Sequence, residues 1–546
     1  MNPGVSSLRM RIAHAVRERR WLVLAFVLTA GTAFRIAQYA ANRSLSVDEA
    51  LLGLNLISKS FVDLTGPLDF TQAAPIGFLE LEKLAIVLGG DGEYALRFLP
   101  FAMALLALPL FALIARLILD HYGAFVAITA FVLADPLIAY AATAKQYSFD
   151  VMAAVAIYAF FMNAGSTVSR RALLVAAPSA AALVWLSHPA LFIVISALAW
   201  WALRQLYYRH WRMFATTAFV AVIVVSSFAI EYLLSSDNID RIQRSFASST
   251  PLLGADVRSD YPWLSETVGR LGYLVGLVDT VSGQAAFNVS LLGIWLVRLA
   301  VILLLGVAAI GFVSWIRHKP QIAFLTAGPV ALVLSIAAFG LYPLVGRTLL
   351  FLLPGVALAI GEGSSTLVNR AISRKKLTGA LVGAVLLVPI GVLPAKHLFS
   401  PRTNEGMKAT LHVLDRERRP GDTLYVAFSA QYTLGYYMRC SCSGTALASQ
   451  WRFDPGRPAM NQQPVALESS RPALVIGRQP QIAGTVAEIS RLDEPARVWI
   501  LLAEMRPPRK RELLSRLRAI GQERFKHIGG GSESSRSELY LFDFET

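Results

Sequence analysis

Ser44-Leu45-Ser46-Val47-Asp48-Glu49-Ala50-Leu51-Leu52-Gly53-Leu54-Asn55 places two adjacent carboxylates directly behind the first long apolar run of the chain, Trp21 to about Ala41. Leu51, Leu54, Ile57, Phe61 and Leu64 recur at helical spacing. That pattern predicts an amphipathic helix lying flat on a membrane, with Asp48 and Glu49 in its first turn. Ser46 followed three residues later by Glu49 also fits a capping box, and acids in a first turn suit the helix dipole. Capping alone accounts for the pair, so a chemical role has to be decided by the rest of the sequence.

The apolar run before this stretch is one of many. The 546 residues are 55% hydrophobic and 16% charged, with a mean hydropathy of +0.52. A soluble protein carries about 25% charge, and many runs here reach the ~20 apolar residues that a bilayer span needs. The composition specifies an α-helical polytopic membrane protein. Spans are expected at 21–41, 94–115, 123–141, 147–163, 172–187, 189–203, 213–234, 287–315, 321–341, 347–362 and 378–394, about eleven transmembrane helices. The basic residues Arg9, Arg11, Arg17, Arg19 and Arg20 precede the first run, which is long for a signal peptide and reads as an uncleaved span.

Net charge is +15, but much of it sits in short loops between apolar runs, where it sets topology rather than binding nucleic acid. Arg116, Arg170, Arg171, Arg204, Arg209, Arg212, Arg317, Lys319, Arg370, Arg374, Lys375 and Lys376 fall on one side. The acidic first loop (42–93), the link at Lys145, the turn at His188-Pro189, a loop at 235–286 and the turn at Tyr342-Pro343 fall on the other. The positive-inside rule puts the N-terminus in the cytoplasm and the acidic loop outside. A second short helix is expected over 74–83, with Pro75 near its start.

Residues 396–546 differ from 1–395. Short apolar strands are expected at 423–428, 473–476, 498–502 and 539–542, with helices at 405–417, 480–491 and 509–519 between them. This alternation describes a small α/β domain, placed outside the cytoplasm by the odd number of spans. Cys440 and Cys442 are the two cysteines, too few for a disulfide framework or a zinc site. Outside the cytoplasm the pair could oxidise; a bridge between residues two apart would be strained, so partner exchange and metal capture are alternatives to the main expectation, that the pair does nothing chemical.

Ionisable residues inside spans mark functional paths. Arg35, Arg97, Asp135, Lys145, Asp150, Glu231 and Arg347 all fall in the outer half of the expected spans, a pattern of a cavity open to the outer leaflet. Arg35 and Arg97 are alternatively snorkelling side chains. His188 before Pro189 is alternatively a turn residue, and Arg347 a lipid-phosphate anchor.

An acidic pair opening the first outer loop, two flat helices, many spans and a trailing outer domain resemble the GT-C glycosyltransferases. Within that fold the chain resembles the bacterial branch related to protein O-mannosyltransferases and aminoarabinose transferases (glycosyltransferase families 39 and 83). The matching residues are Val47-Asp48-Glu49-Ala50, Gln72-Ala73-Ala74-Pro75, Glu93-Tyr94-Ala95-Leu96-Arg97-Phe98-Leu99-Pro100, Ala144-Lys145-Gln146-Tyr147-Ser148 and Gly346-Arg347-Thr348-Leu349-Leu350-Phe351-Leu352-Leu353-Pro354, within roughly 20–395. Family members often have arginine where Lys145 stands, and a lysine gives no bidentate phosphate grip.

The resemblance implies transfer of a sugar from a polyprenyl-phosphate donor to a glycan, lipid or protein acceptor, at the extracytoplasmic face of the bacterial inner membrane. Asp48 would be the general base. Glu49 would orient the acceptor or Asp48, or ligate a divalent metal if one is used; no cofactor is otherwise called for. Lys145 and Arg347 would hold the lipid phosphate, with Arg97 a weaker candidate. Gln146 and Tyr147 would bind sugar hydroxyls, Asp150 would orient Lys145, and Gln72 and His188 complete the substrate-binding set. The alternative is a lipid-linked glycan or polysaccharide transporter or assembly protein without transferase activity. A transporter would carry internal repeats and interrupted helices near mid-membrane, and no clear repeat is present.

Overall fold

The computed structural model describes residues 3–164, 168–247, 291–344, 346–370, 375–399, 402, 406–440, 474–477, 481–491, 497–505, 507–530 and 536–544. The chain is a polytopic helical protein with a small α/β domain at its C-terminal end. Its helices are α1 (Pro3–Ala40), α2 (Val47–Ser58), α3 (Ile76–Gly89), α4 (Glu93–Ile118), α5 (His121–Leu133), α6 (Asp135–Ala141), α7 (Tyr147–Ala164), α8 (Arg170–Leu186), α9 (Ala190–Tyr207) and α10 (Trp211–Ala247). They continue as α11 (Leu291–His318), α12 (Pro320–Ala338), α13 (Leu353–Arg370), α14 (Lys375–Phe399), α15 (Met407–Glu417), α16 (Gln431–Arg439), α17 (Ile482–Ser490) and α18 (Pro507–Arg518).

Among the described residues, eight helices are long and apolar enough to cross a membrane, and nine when the bent pair α5–α6 counts as one span. Each expected span falls on a helical segment as far as it is described; residues 287–290 of the span expected at 287–315 lie outside the described residues. The bend of 47° between α5 and α6 interrupts the span expected at 123–141, where Pro136 begins a new helix. The two short segments are Tyr147–Met162 and the 17-residue α8. The loop expected at 235–286 is helical as far as Ala247, and residues 248–286 lie outside the described residues, as do Arg374 and Cys442.

The chain divides into two compact units. The first comprises Met1–Ala40, Ala74–Phe78 and Pro100–Ser400; the second comprises Ala41–Ala73, Leu79–Leu99 and Pro401–Thr546. Most of the first loop, expected with the transmembrane part, therefore groups with the C-terminal residues.

In the first unit, small residues bring backbones together. A Cβ on Gly363 of α13 would stand 1.9 Å from the Val307 carbonyl oxygen of α11, and one on Gly361 would stand 2.4 Å from that of Gly123 on α5. Glycine permits this approach where helices associate by van der Waals packing in an apolar medium. The core around these contacts includes Phe111, Phe131, Tyr158, Trp201 and Phe351. A 3-10 segment, Gly346–Leu352, packs against α7.

In the second unit, β1 (Thr423–Val426), β2 (Leu474–Ile476), β3 (Arg497–Leu502), β4 (Gln522–Ile528) and β5 (Glu538–Asp543) form one sheet in the order β2-β1-β3-β5-β4. β1 is parallel to β2 and β3, while β5 is antiparallel to β3 and β4. Tyr425, Ile500, Leu513 and Phe542 form its core. The four expected strands are present; β4 and α16 are additional. Helix α2 ends at Ser58, short of Phe61, and its residues Ala50 and Leu52–Leu56 are buried, so it is enclosed rather than one-faced. Cys440 is disulfide-bonded, against the expectation that the cysteines do nothing chemical.

Candidate active site

The acidic pair lies in the second unit. Ser46 caps α2: its hydroxyl accepts from the Glu49 N–H at 3.4 Å, and Glu49 Oε2 accepts from the Ser46 N–H at 3.0 Å, a complete capping box. Glu49 does more than cap. Arg97, in the first turns of α4, donates from Nε to Glu49 Oε1 at 2.8 Å and from Nη2 to Oε2 at 3.1 Å. Its Nη1 donates to the Arg43 carbonyl at 2.6 Å and Nη2 to that of Ser44 at 3.3 Å. The two side chains are 0% and 2% exposed. Burial pushes the Glu49 carboxyl up, but the charge and hydrogen bonds of Arg97, the charge of Arg43 and the Ser46 N–H outweigh it and hold the group down at about 2. Glu49 is therefore an ionised clamp between two helix starts. Arg97 neither snorkels nor presents its guanidinium outward.

Asp48, one residue earlier, is only half-buried. The ground beneath the pair is built by the C-terminal residues of the same unit. Tyr437 of α16 accepts from the Leu45 N–H at 2.8 Å and donates to Glu93 at 2.9 Å. Lys408 of α15 pairs with Glu93 at 2.9 Å and donates to the Asn42 carbonyl at 2.8 Å. Gly53 faces the Tyr436 ring, where a Cβ would stand 2.6 Å from a ring carbon. Nothing in the apolar patterning singles out Tyr437 or Lys408.

Gln72 is buried and donates to the Phe70 carbonyl at 3.4 Å. It follows Phe70 and Thr71, both left-handed at φ 61° and 54°, a backbone strain that packing has to hold. Asn55 of α2 fixes the same loop, accepting from the Asp69 N–H at 2.8 Å.

The other expected residues lie in the first unit. Lys145 and Gln146 are half-buried in the bend between α6 and α7. Tyr147 is buried with its ring edge-on to Tyr140, centroids 4.8 Å apart, and the Ser148 hydroxyl donates to the Tyr140 carbonyl at 3.0 Å. Arg347 is half-buried on the 3-10 segment that packs against α7. The segments carrying Lys145 and Arg347, 202 positions apart, thus belong to neighbouring elements. Tyr342 donates to the Thr348 carbonyl at 2.7 Å and steadies that segment.

Asp150 was expected to orient Lys145. It is buried near Ser187, with Oδ1 lacking a hydrogen-bond partner among the described residues. His188 Nε2 stands 2.7 Å from Glu231 Oε2, an ion-pair distance without hydrogen-bond alignment, and Glu231 Oε1 accepts from the Ile76 N–H at 3.1 Å. Glu231 and Ser187 stand outside the expected set. Glu231 is the legible one, an acid within an apolar run. Arg35 is 1% exposed and donates to the carbonyls of Gly31 and Val132 at 3.0 and 3.1 Å rather than snorkelling. Asp135 stands 3.3 Å from His397. Among the described residues no group of three or more His, Cys, Asp or Glu side chains is placed to hold a metal ion.

No family model matches the chain, and no curated protein matches it. Among solved structures it is similar to ArnT from Cupriavidus metallidurans in the apo state, at 12% identity over 96% of this chain and 98% of that one, with a TM-score of 0.48. The same protein bound to undecaprenyl phosphate is similar at 14% identity over 95% and 98%, TM-score 0.48. The archaeal oligosaccharyltransferase AglB from Archaeoglobus fulgidus, in complex with an inhibitory peptide and a dolichol-phosphate, is similar at 10% identity over 96% of this chain and 74% of that one, TM-score 0.49.

Proposed function

We propose that the chain is a membrane glycosyltransferase of the GT-C kind. It moves a sugar from a polyprenyl-phosphate donor to an acceptor hydroxyl at the extracytoplasmic face of the inner membrane, with Asp48 as general base. The observation that carries this reading is the division within the acidic pair. Glu49 is enclosed and committed to Arg97 and Ser46, while Asp48 remains half-buried on the turn that this clamp holds.

In the reaction, the Asp48 carboxylate takes the proton of the acceptor hydroxyl. The hydroxyl oxygen forms a bond to the anomeric carbon. The bond from that carbon to the phosphate oxygen breaks, its electron pair staying on the phosphate, and the anomeric centre inverts. Lys145 and Arg347 hold the phosphate and the charge it gains, the electrostatic part of the barrier lowering. Gln146 and Tyr147 bind sugar hydroxyls, and Gln72, Asp150 and His188 are further substrate-binding residues. Glu49 and Arg97 act as positioning residues for Asp48.

Asp48→Asn tests the base. Losing a general base costs about 10²- to 10⁴-fold in rate. Glycolipids and envelope glycans of a deletion strain, complemented with either form and analysed by mass spectrometry, should regain the missing glycan only with the unaltered chain. Normal glycan in a strain carrying only the Asp48→Asn form removes Asp48 from this role. Flux of a lipid-linked glycan across vesicles without a new covalent product favours transport instead.

A further inference from the structure

A cavity of about 430 Å³ opens in the first unit, at the ends of α4, α7, α9 and α11 and the start of α12. Its wall holds Arg204, His318 and Lys319 beside Leu117, Met162 and Trp200. Its size is that of a small-molecule site. No residue lining it is acidic, and no carboxylate among the described residues pairs with Arg204, His318 or Lys319.

Helix C-termini carry partial negative charge and on their own repel anions. Here the sequence reverses that. Arg204 lies in the last turn of α9 and His318 in that of α11. Lys319 donates to the Ile118 carbonyl at the end of α4. Arg204 also sits over the Tyr208 ring, 5.6 Å from its centroid. The indole N–H of Trp200 has no acceptor among the described residues.

The surroundings are those of a membrane interface. Leu117, Leu203 and Leu206 are exposed, and so are Tyr207, Tyr208 and Trp211 beyond them, an aromatic girdle of the kind found at headgroup level. The charge bias assigns this end to the cytoplasmic side. Arg204 and Lys319 without a carboxylate partner among the described residues, an imidazole whose Nδ1 meets the Ser314 carbonyl at 3.0 Å, an orphan donor and an apolar flank occur together here.

We propose that this cavity binds the phosphate headgroup of an anionic phospholipid, whose acyl chain runs along the exposed leucines. Cations at the cytoplasmic surface attract anionic lipid by an amount equivalent to about fivefold in binding each, and basic pockets between spans are where such headgroups settle.

The test uses the full chain in nanodiscs of equimolar phosphatidylglycerol and phosphatidylcholine. Native mass spectrometry reads the lipids retained. Tryptophan quenching by brominated forms of either lipid, with W200F subtracted, reports occupancy beside Trp200. The unaltered chain should retain phosphatidylglycerol preferentially. R204Q should lower that preference about fivefold and R204Q/H318Q further, while R204K keeps most of it. Equal retention of the two lipids by the unaltered chain overturns the proposal, whether or not any variant folds. So does a preference unchanged in R204Q/H318Q. Protection of Trp200 by inorganic phosphate without any lipid preference assigns the cavity to a free anion and overturns the lipid as occupant.

Discussion

Arg97→Met removes the cation that holds Glu49 and keeps an apolar stem in its place. Four hydrogen bonds go with it: two to the Glu49 carboxylate and one each to the Arg43 and Ser44 carbonyls. Breaking a buried pair by removing one partner costs about 3–5 kcal/mol, because the remaining charge is stranded. The titration of Glu49 gives the same scale. Its carboxyl is held at about 2 against 4.5 for the ordinary group, a depression worth about 3 kcal/mol at roughly 1.4 kcal/mol per unit. A depressed carboxyl contributes its stability above pH 4.5, where the unfolded chain is also ionised, and loses it as pH falls toward 2. In the variant the second unit should therefore unfold about 6–20 °C lower at neutral pH, and the gap should close as the solution is acidified through that window.

Glu49→Gln added to Arg97→Met leaves no stranded charge, so the double variant should recover part of the loss. The assay is thermal unfolding of the purified full chain at one scan rate, since membrane proteins seldom unfold reversibly. Hydrogen exchange at the α2 amides localises the effect. Strictly additive single and double variants, or a gap that ignores pH, would refute the clamp.

Lys145→Ala and Arg347→Ala should each raise the KM for a polyprenyl-phosphate sugar by about 10- to 100-fold, the worth of a hydrogen bond to a charged group; an unchanged KM in both removes them from the phosphate. Gly363→Ala drives a Cβ to 1.9 Å from the Val307 carbonyl oxygen, so α11 and α13 must separate. The expected cost is about 1–3 kcal/mol, read as earlier heat-induced aggregation in size-exclusion chromatography, and an unshifted profile contradicts that packing. Glu82 is buried with neither carboxylate oxygen hydrogen-bonded, and burial pushes its carboxyl well above the ordinary value. A raised carboxyl keeps its stability below pH 4.5 and loses it as pH rises toward the folded value. Glu82→Gln should then gain thermal stability over the unaltered chain at neutral and alkaline pH and match it in acid; a variant that loses stability at neutral pH shows that the carboxyl has a partner.

The spans were legible because the bilayer demands one thing of each, a run of apolar residues of fixed length. The break between α5 and α6 was not, although Asp135-Pro136 stood in the run: a proline kinks or restarts a helix according to what packs beside it. Strand β4 was missed for a physical reason. Gln522-Glu523-Arg524-Phe525-Lys526-His527-Ile528 alternates between exposed and half-buried positions and occupies the sheet edge. Edge strands are often charged, which prevents pairing with another chain and also hides them from an apolar pattern.

The acidic pair shows where local reading stops. A capping box is written within four residues, so Ser46 and Glu49 were readable together. What separates Glu49 from Asp48 is written elsewhere: Arg97 on another helix, the carbonyls of Arg43 and Ser44, and Tyr437 more than three hundred positions on. Successive residues on a helix point about 100° apart, so two neighbouring acids cannot share one environment. Arg97 and the cap enclose Glu49, while Asp48 on the same turn is only half-buried. The clamp therefore matters to the proposed chemistry through orientation alone. A variant that loosens it should lower the proposed transfer while leaving Asp48 in the chain, and Glu49→Asp, which keeps the charge but shortens the reach to Arg97, should fall between the unaltered chain and Glu49→Ala.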